Sequence, residues 1–240
     1  MENLINNLSK YSVLDSFIEV SKSNGSNFIE KTTRINPKLK DFTDKIFLFI
    51  NEYINKIINA DIPLPKIIES KFSYDKITFL CEYKGENILE IVKADQLKNT
   101  IDNSTIFDQM VEIIKKAQLA KLNFDPHPKN FVVSNNVVSY VDFTPPWQDN
   151  YYKLRTSIAE SNEKKILNNF FKCMNFDELG FHLAGDLIKI DNKNHNNLKF
   201  VYKKLFDNKI ISGEFNEFVK KAELIISRER AREENNIYLL

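Results

Sequence analysis

The stretch Asn123-Phe124-Asp125-Pro126-His127-Pro128-Lys129-Asn130-Phe131, followed by Val141-Asp142-Phe143, decides how this chain is read. It sets an aspartate and an asparagine five positions apart, in a segment that two prolines keep out of helix. Twelve residues after the asparagine, a second aspartate closes a short apolar strand. Phosphoryl transfer from ATP requires this inventory. One carboxylate takes the proton of an attacking hydroxyl, and an amide oxygen and another carboxylate hold Mg²⁺ against the phosphates. Asp-x-x-x-x-Asn by itself is common in polar sequences; its combination with the strand that ends in Asp carries the specificity.

Working outward, residues 131–133 and 137–141 read as a hairpin turning at Asn135-Asn136, because asparagine tolerates positive φ. Ahead of the loop, Ile106, Met110, Ile113, Ile114 and Ala117 recur at helical spacing and give a helix over 106–122, with Ser104 as its N-cap. Another helix is expected near 88–97, after a break at Gly85. Upstream, residues 17–20 and 28–35 read as strands joined through an Asn24-Gly25 turn. Residues 66–72 and 76–83 read as two more, around Ser73-Tyr74-Asp75. Between these pairs, Asn36-Pro37 ends a strand and opens a helix over 37–60. Its stripe is Phe42, Ile46, Phe49, Ile50, Tyr53, Ile54 and Ile57, and Pro63 and Pro65 stop it. Residues 151–240 read mostly as helices separated by polar turns such as Asp191-Asn192-Lys193-Asn194, with no internal repeat.

The expected class is therefore α+β, in two lobes. A small antiparallel N-terminal sheet with one helix occupies residues 1–84, and a larger, mainly helical part carrying the loop and hairpin occupies 85–240. A ligand would sit between them.

Composition narrows the function. With 34 basic and 33 acidic residues the net charge is +1, so no global field recruits nucleic acid or anionic membrane. The densest apolar run, Ile46-Phe47-Leu48-Phe49-Ile50, is five long, far below the roughly 20 residues a transmembrane helix needs. Residues 1–10 lack the charged-then-apolar profile of a secretion signal. Cys81 and Cys173 have no metal-ligand spacing, and the expectation is a cytoplasmic protein with reduced thiols. Oligomeric state is left open.

The element order and the motifs resemble the small-molecule branch of the protein-kinase-like fold: aminoglycoside phosphotransferases, choline kinases and lipopolysaccharide-core heptose kinases. That branch carries His-Gly-Asp-x-His-x-x-Asn and then an apolar hairpin ending in Ile-Asp-Phe or Ile-Asp-Leu. Here the corresponding residues run from Asn123 to Asn130, and the hairpin ends in Val141-Asp142-Phe143. Asp-Pro-His followed by Asn-Phe is particularly similar to the heptose kinases. The motif resemblance covers about 25 residues.

By position, the resemblance makes Asp125 the catalytic base and Asn130 and Asp142 the Mg²⁺ ligands. It also implies a strand lysine paired with a glutamate on the following helix. Lys31 shares a strand face with Ile29 and fits the lysine; Arg34 is the alternative cation, on the opposite parity. Glu52 is the acidic residue in the middle of the long helix and so the expected partner. Glu82-Tyr83-Lys84-Gly85 falls where an inter-lobe hinge would present backbone groups to adenine, placing Glu82 and Lys84 with the nucleotide. His127 has two readings, contact with substrate or phosphate, or a backbone hydrogen bond that fixes the loop. His182 and His195 are read as having no role. Asp177, Glu178, Asp186, Glu214 and Glu217 select no acceptor.

The chain departs from the family pattern in three places. Asn123 and Phe124 stand where His and Gly or Arg are usual, and Gly25 is the one glycine in the first hairpin. Thr144-Pro145-Pro146-Trp147 follows Asp142-Phe143 with no long activation segment. Trp147 is read as packing near the metal site or lining an acceptor pocket. The expected activity is an ATP- and Mg²⁺-dependent phosphotransferase acting on a hydroxyl of a small molecule, a sugar or aminosugar. The alternatives are a pseudokinase-like module that binds a nucleotide or a partner, and a kinase-fold nucleotidyltransferase that modifies a protein.

Overall fold

The first sheet buries its central strands, Phe28–Ile35 and Lys76–Glu82, and leaves the strand Ile67–Ser73 largely exposed. The computed structural model describes residues 11–12, 16–21, 27–91, 105–190, 195–234 and 238–239. Strand β1 (Tyr11–Ser12) pairs with β9 (Tyr238–Leu239) from the far end of the sequence. Strands β2 (Ser16–Ser21), β3 (Phe28–Ile35), β4 (Ile67–Ser73) and β5 (Lys76–Glu82) form an antiparallel sheet in the order β2-β3-β5-β4. Lys31, Thr33 and Ile35 of β3 are buried while Arg34 is exposed. Ile77, Phe79 and Cys81 fill the same layer from β5. The register sets Lys31 opposite Phe79, in the middle of the sheet. The Asn24-Gly25 turn lies outside the described residues.

The helix expected over 37–60 is two pieces. Asn36 accepts the Lys38 N–H on its side chain, Pro37 follows, and a 3-10 segment runs Pro37–Phe42. Only then does α1 (Thr43–Asn59) begin. The Thr43 hydroxyl at the junction contacts Lys40 O and Tyr74 O, both at 2.8 Å, which ties the change of helix type to the β4–β5 turn. The apolar stripe of α1 is buried at Ile46, Phe49, Ile50, Tyr53, Ile54 and Ile57. Burying side chains of this size contributes about 1.5–3 kcal/mol each, which holds the helix on the sheet.

Gly85 lets the chain leave the first sheet. Its φ is +91°, and a Cβ there would lie 1.9 Å from Val133 O, so glycine is required. The strand β6 (Glu86–Asn87), which periodicity did not reveal, then pairs with β7 (Phe131–Ser134). β7 in turn pairs with β8 (Val137–Tyr140), as expected for the Asn135-Asn136 hairpin; both asparagines have positive φ, 51° and 60°. After β6, α2 is described over Ile88–Ile91; the rest of the helix expected to 97, and the Ser104 cap, lie outside the described residues.

Helix α3 (Thr105–Leu119) stops before Leu122, where its apolar pattern ends. Lys121 has φ 51°, the Lys121 N–H donates to Gln118 O, and the Leu122 N–H donates back to Ala117 O. This left-handed cap ends the helix and throws the chain into the 123–130 loop. Downstream come α4 (Asp149–Ile158), α5 (Ser161–Cys173), α6 (Leu179–Ile190), α7 (His195–Asp207) and α8 (Phe215–Glu234), with α6 packed between α7 and α8. The fold is α+β, a small antiparallel sheet with several helices. Among the described residues no helix is long and apolar enough to cross a membrane.

Candidate functional site

The loop that opened the sequence reading is held by aromatic packing from below. Phe124, fully buried, stacks on Tyr140 with ring centroids 3.8 Å apart and also meets Phe131. Phe124 therefore fills the space between loop and hairpin. The Tyr53 hydroxyl of α1 donates to Asn123 O at 2.8 Å, and the Asp125 N–H donates to the Tyr140 hydroxyl at 3.4 Å. Burial and the nearby carboxylates push both phenols well above their ordinary range, so both stay protonated.

Asp125 is buried, and its Oδ1 accepts the His127 N–H at 3.1 Å. Burial opposes its ionisation. The His182 imidazole, the Lys129 ammonium, the His127 ring and the His127 N–H outweigh burial and hold the carboxyl below its usual range. Asn130 ends the 3-10 turn Pro128–Asn130 and is buried. Its Nδ2 donates to Asp125 O at 3.2 Å, which leaves the amide oxygen as the group able to meet a cation. The Val141 N–H donates to Asn130 O at 2.9 Å, closing the base of the hairpin one residue before Asp142.

Asp142 is half-buried. Burial raises its carboxyl to about 6, and the like charge of Asp125 adds to the effect. Lys31, Lys129 and the indole N–H of Trp147 act the other way. The Lys31 ammonium arrives from β3: it donates to Val141 O at 2.9 Å, lies 3.8 Å from Asp142 Oδ1, and sits 4.4 Å over the Phe143 ring. Its own pKa is lowered by burial, against the pull of Asp142.

Of the residues singled out in the sequence, Lys31, Asp125, Asn130 and Asp142 are brought together. Three are not. Glu52 does not pair with Lys31; it is exposed on α1 and accepts from Asn150 Nδ2 at 2.9 Å. The reason is helical phase: at 100° per residue Glu52 lies about 130° around α1 from the centre of the buried stripe. Glu82 and Lys84 pair with each other at 2.9 Å. The Glu82 N–H donates to Lys66 O and the Tyr83 N–H to Asn27 O, so two backbone donors of this segment are used within the sheet.

His127 takes the second of its two readings. Its Nδ1 accepts the Lys129 N–H at 3.0 Å, which puts the ring proton on Nε2, 3.7 Å from Asp186 Oδ1. Asp186 is fully buried on α6, and its other oxygen lies 3.5 Å from Nε2 of the buried His182. His182, read as having no role, thus joins a His127–Asp186–His182 cluster beneath the loop. The signal for it was a His and an Asp four apart inside an otherwise apolar helix.

Asn130 and Asp142 fit a magnesium ion. Mg²⁺ takes few protein oxygens and completes its shell with water and phosphate, and a divalent cation would offset the burial and the Asp125 charge that together raise Asp142. Among the described residues no three or more His, Cys, Asp or Glu side chains cluster as an all-protein metal site. No protein-family model and no curated protein matches the chain.

Proposed function

We propose that the chain is an ATP- and Mg²⁺-dependent phosphotransferase acting on a hydroxyl of a small molecule, a sugar or aminosugar. In this reading it has the two-lobed plan of the protein-kinase-like fold, with residues 1–84 as the nucleotide lobe and 85–240 as the catalytic and acceptor lobe. One observation carries the reading: Lys31 reaches across 110 positions of sequence to the backbone beside Asp142, within one loop's length of Asp125 and Asn130. A base, a pair of oxygen ligands and a phosphate-directed cation are what phosphoryl transfer asks of a protein.

Asp125 presents Oδ2 to the acceptor hydroxyl while the His127 N–H holds Oδ1. The depressed pKa keeps it ionised at neutral pH, and it takes the hydroxyl proton as the new O–P bond forms and the bond from the γ-phosphorus to the β,γ-bridging oxygen breaks, with ADP leaving. Asn130 and Asp142 would hold Mg²⁺, which would supply positive charge to offset that of the phosphates. Lys31 adds a fixed positive charge in a buried setting, where it acts more strongly than in water. Asp142, in place of Glu52, orients that lysine.

The deciding experiment incubates the protein with ATP labelled separately at the α- and γ-phosphate, across a panel of sugars and aminosugars, with ADP release followed in parallel. Transfer of γ-label to an acceptor is the expected result. Appearance of α-label on protein means nucleotidyl transfer, and bound but unconsumed ATP means a binding module. Either outcome removes the phosphotransferase reading.

A further inference from the structure

A cavity of about 640 Å³ opens where the C-terminal end of α1, the turn after α3 and the start of α4 meet. Asp125, Asn130 and Asp142 are not in its wall. Lys56, Lys121 and Lys153 are, against one acid, Asp149, so the wall carries a charge excess of two positive (three lysines less one aspartate). Lys56 Nζ donates to Gln148 Oε1 at 2.7 Å. Lys121 is fixed at its root by the left-handed cap, and neither it nor Lys153 has an ion-pair or side-chain hydrogen-bond partner among the described residues.

The helix start adds donors of the same sign. Gln148 is the N-cap of α4, yet its side chain makes no capping bond; it is buried and turned away, with Nε2 donating to Phe49 O at 2.9 Å. Among the described residues the first-turn N–H groups of Asp149 and Asn150 have no acceptor, and both residues line the cavity. A helix of ten residues presents about half a positive charge at this end. Three ammonium groups and two open N–H donors around one space of ligand size have a common complement.

We propose that this cavity binds a small metabolite carrying two or more anionic groups, phosphate or carboxylate, at a site separate from the reaction centre. The proposal does not rest on the phosphotransferase reading. Trp147 makes it observable: it is the chain's one tryptophan, it is buried, and it belongs to the cavity wall.

The test titrates pyrophosphate, and in a second arm citrate, into the full chain in Mg²⁺-free buffer, with Trp147 fluorescence and calorimetry as readouts. At least one probe binds the wild type, and which one names the anion class. Binding weakens about tenfold or more in the double variant Lys121→Gln/Lys153→Gln, the scale expected for loss of charged donors. Binding persists in Lys31→Met, which removes the cation of the reaction centre, and in Lys203→Met, a distant surface control. Circular dichroism confirms that each variant is folded. The absence of binding by both probes overturns the proposal, as does undiminished binding in the double variant or loss of binding in Lys31→Met.

Discussion

Replacing Asp142 with Asn removes a charge that the metal-free fold disfavours. The folded carboxyl titrates at about 6 against an ordinary 3.8, a difference of about 2 units. At 1.36 kcal/mol per unit this amounts to about 3 kcal/mol. Between the two values the folded protein holds a proton that the unfolded chain has released. Stability therefore falls as pH rises through that window, and the whole cost is present above about 6. The side chain is 15% exposed, so solvent screening is modest. The attraction of Lys31 is already contained in the raised value and is not subtracted again. In EDTA at pH 7, Asp142→Asn is expected to be up to about 3 kcal/mol more stable than the wild type by urea unfolding, and the gap should close near pH 4. The same variant should lose Mg²⁺-dependent ATP affinity by calorimetry, because an amide replaces the anionic ligand. A variant less stable than wild type at pH 7, or a gap that ignores pH, would refute the reasoning.

Lys31→Met should abolish most turnover while Arg34→Met leaves it near normal, since only the first residue faces Asp142; the reverse result would place the functional cation on the other face of β3. Asp125→Asn should lower kcat by about 10²- to 10⁴-fold with little change in ATP affinity, because the lost proton acceptance belongs to the transition state. A near-normal kcat would remove Asp125 from the mechanism. Asp186→Asn preserves volume and should leave the nucleotide Kd unchanged while lowering kcat by about 10- to 100-fold, the range seen when a residue that orients a reacting group is altered. A change confined to melting temperature would make the buried cluster purely structural.

The loop, the hairpin and the parity of β3 were legible because each depends on neighbours a few residues away. Two prolines and an Asn-Asn pair set local dihedrals, and period-two alternation separated buried Lys31 from exposed Arg34. The helix over 37–60 was legible in its stripe but not in its start, because Thr43 bonds to Tyr74 O in a turn 31 residues further on. The place of Phe124 was not legible, because Tyr140, which stacks on it, and Phe131, which meets it at a tilt, reach it only through the fold of the hairpin.

The sequence by itself set out the candidate groups, Asp125, Asn130, Asp142 and Lys31 with Arg34 as the alternative cation, and put the two cations on opposite faces of their strand. Tertiary structure alone decided their partners. Lys31 meets Asp142 rather than Glu52, because the phase of α1 turns Glu52 to solvent and the hairpin base carries Asp142 under β3. His127 and His182 converge on Asp186 because α6 packs beneath the loop, although 59 residues separate His127 from that carboxylate (186 less 127). Periodicity records whether a side chain points inward, whereas the identity of what it meets there depends on how separate elements dock. That docking is set by side-chain volumes across the whole core, which no short window of sequence contains.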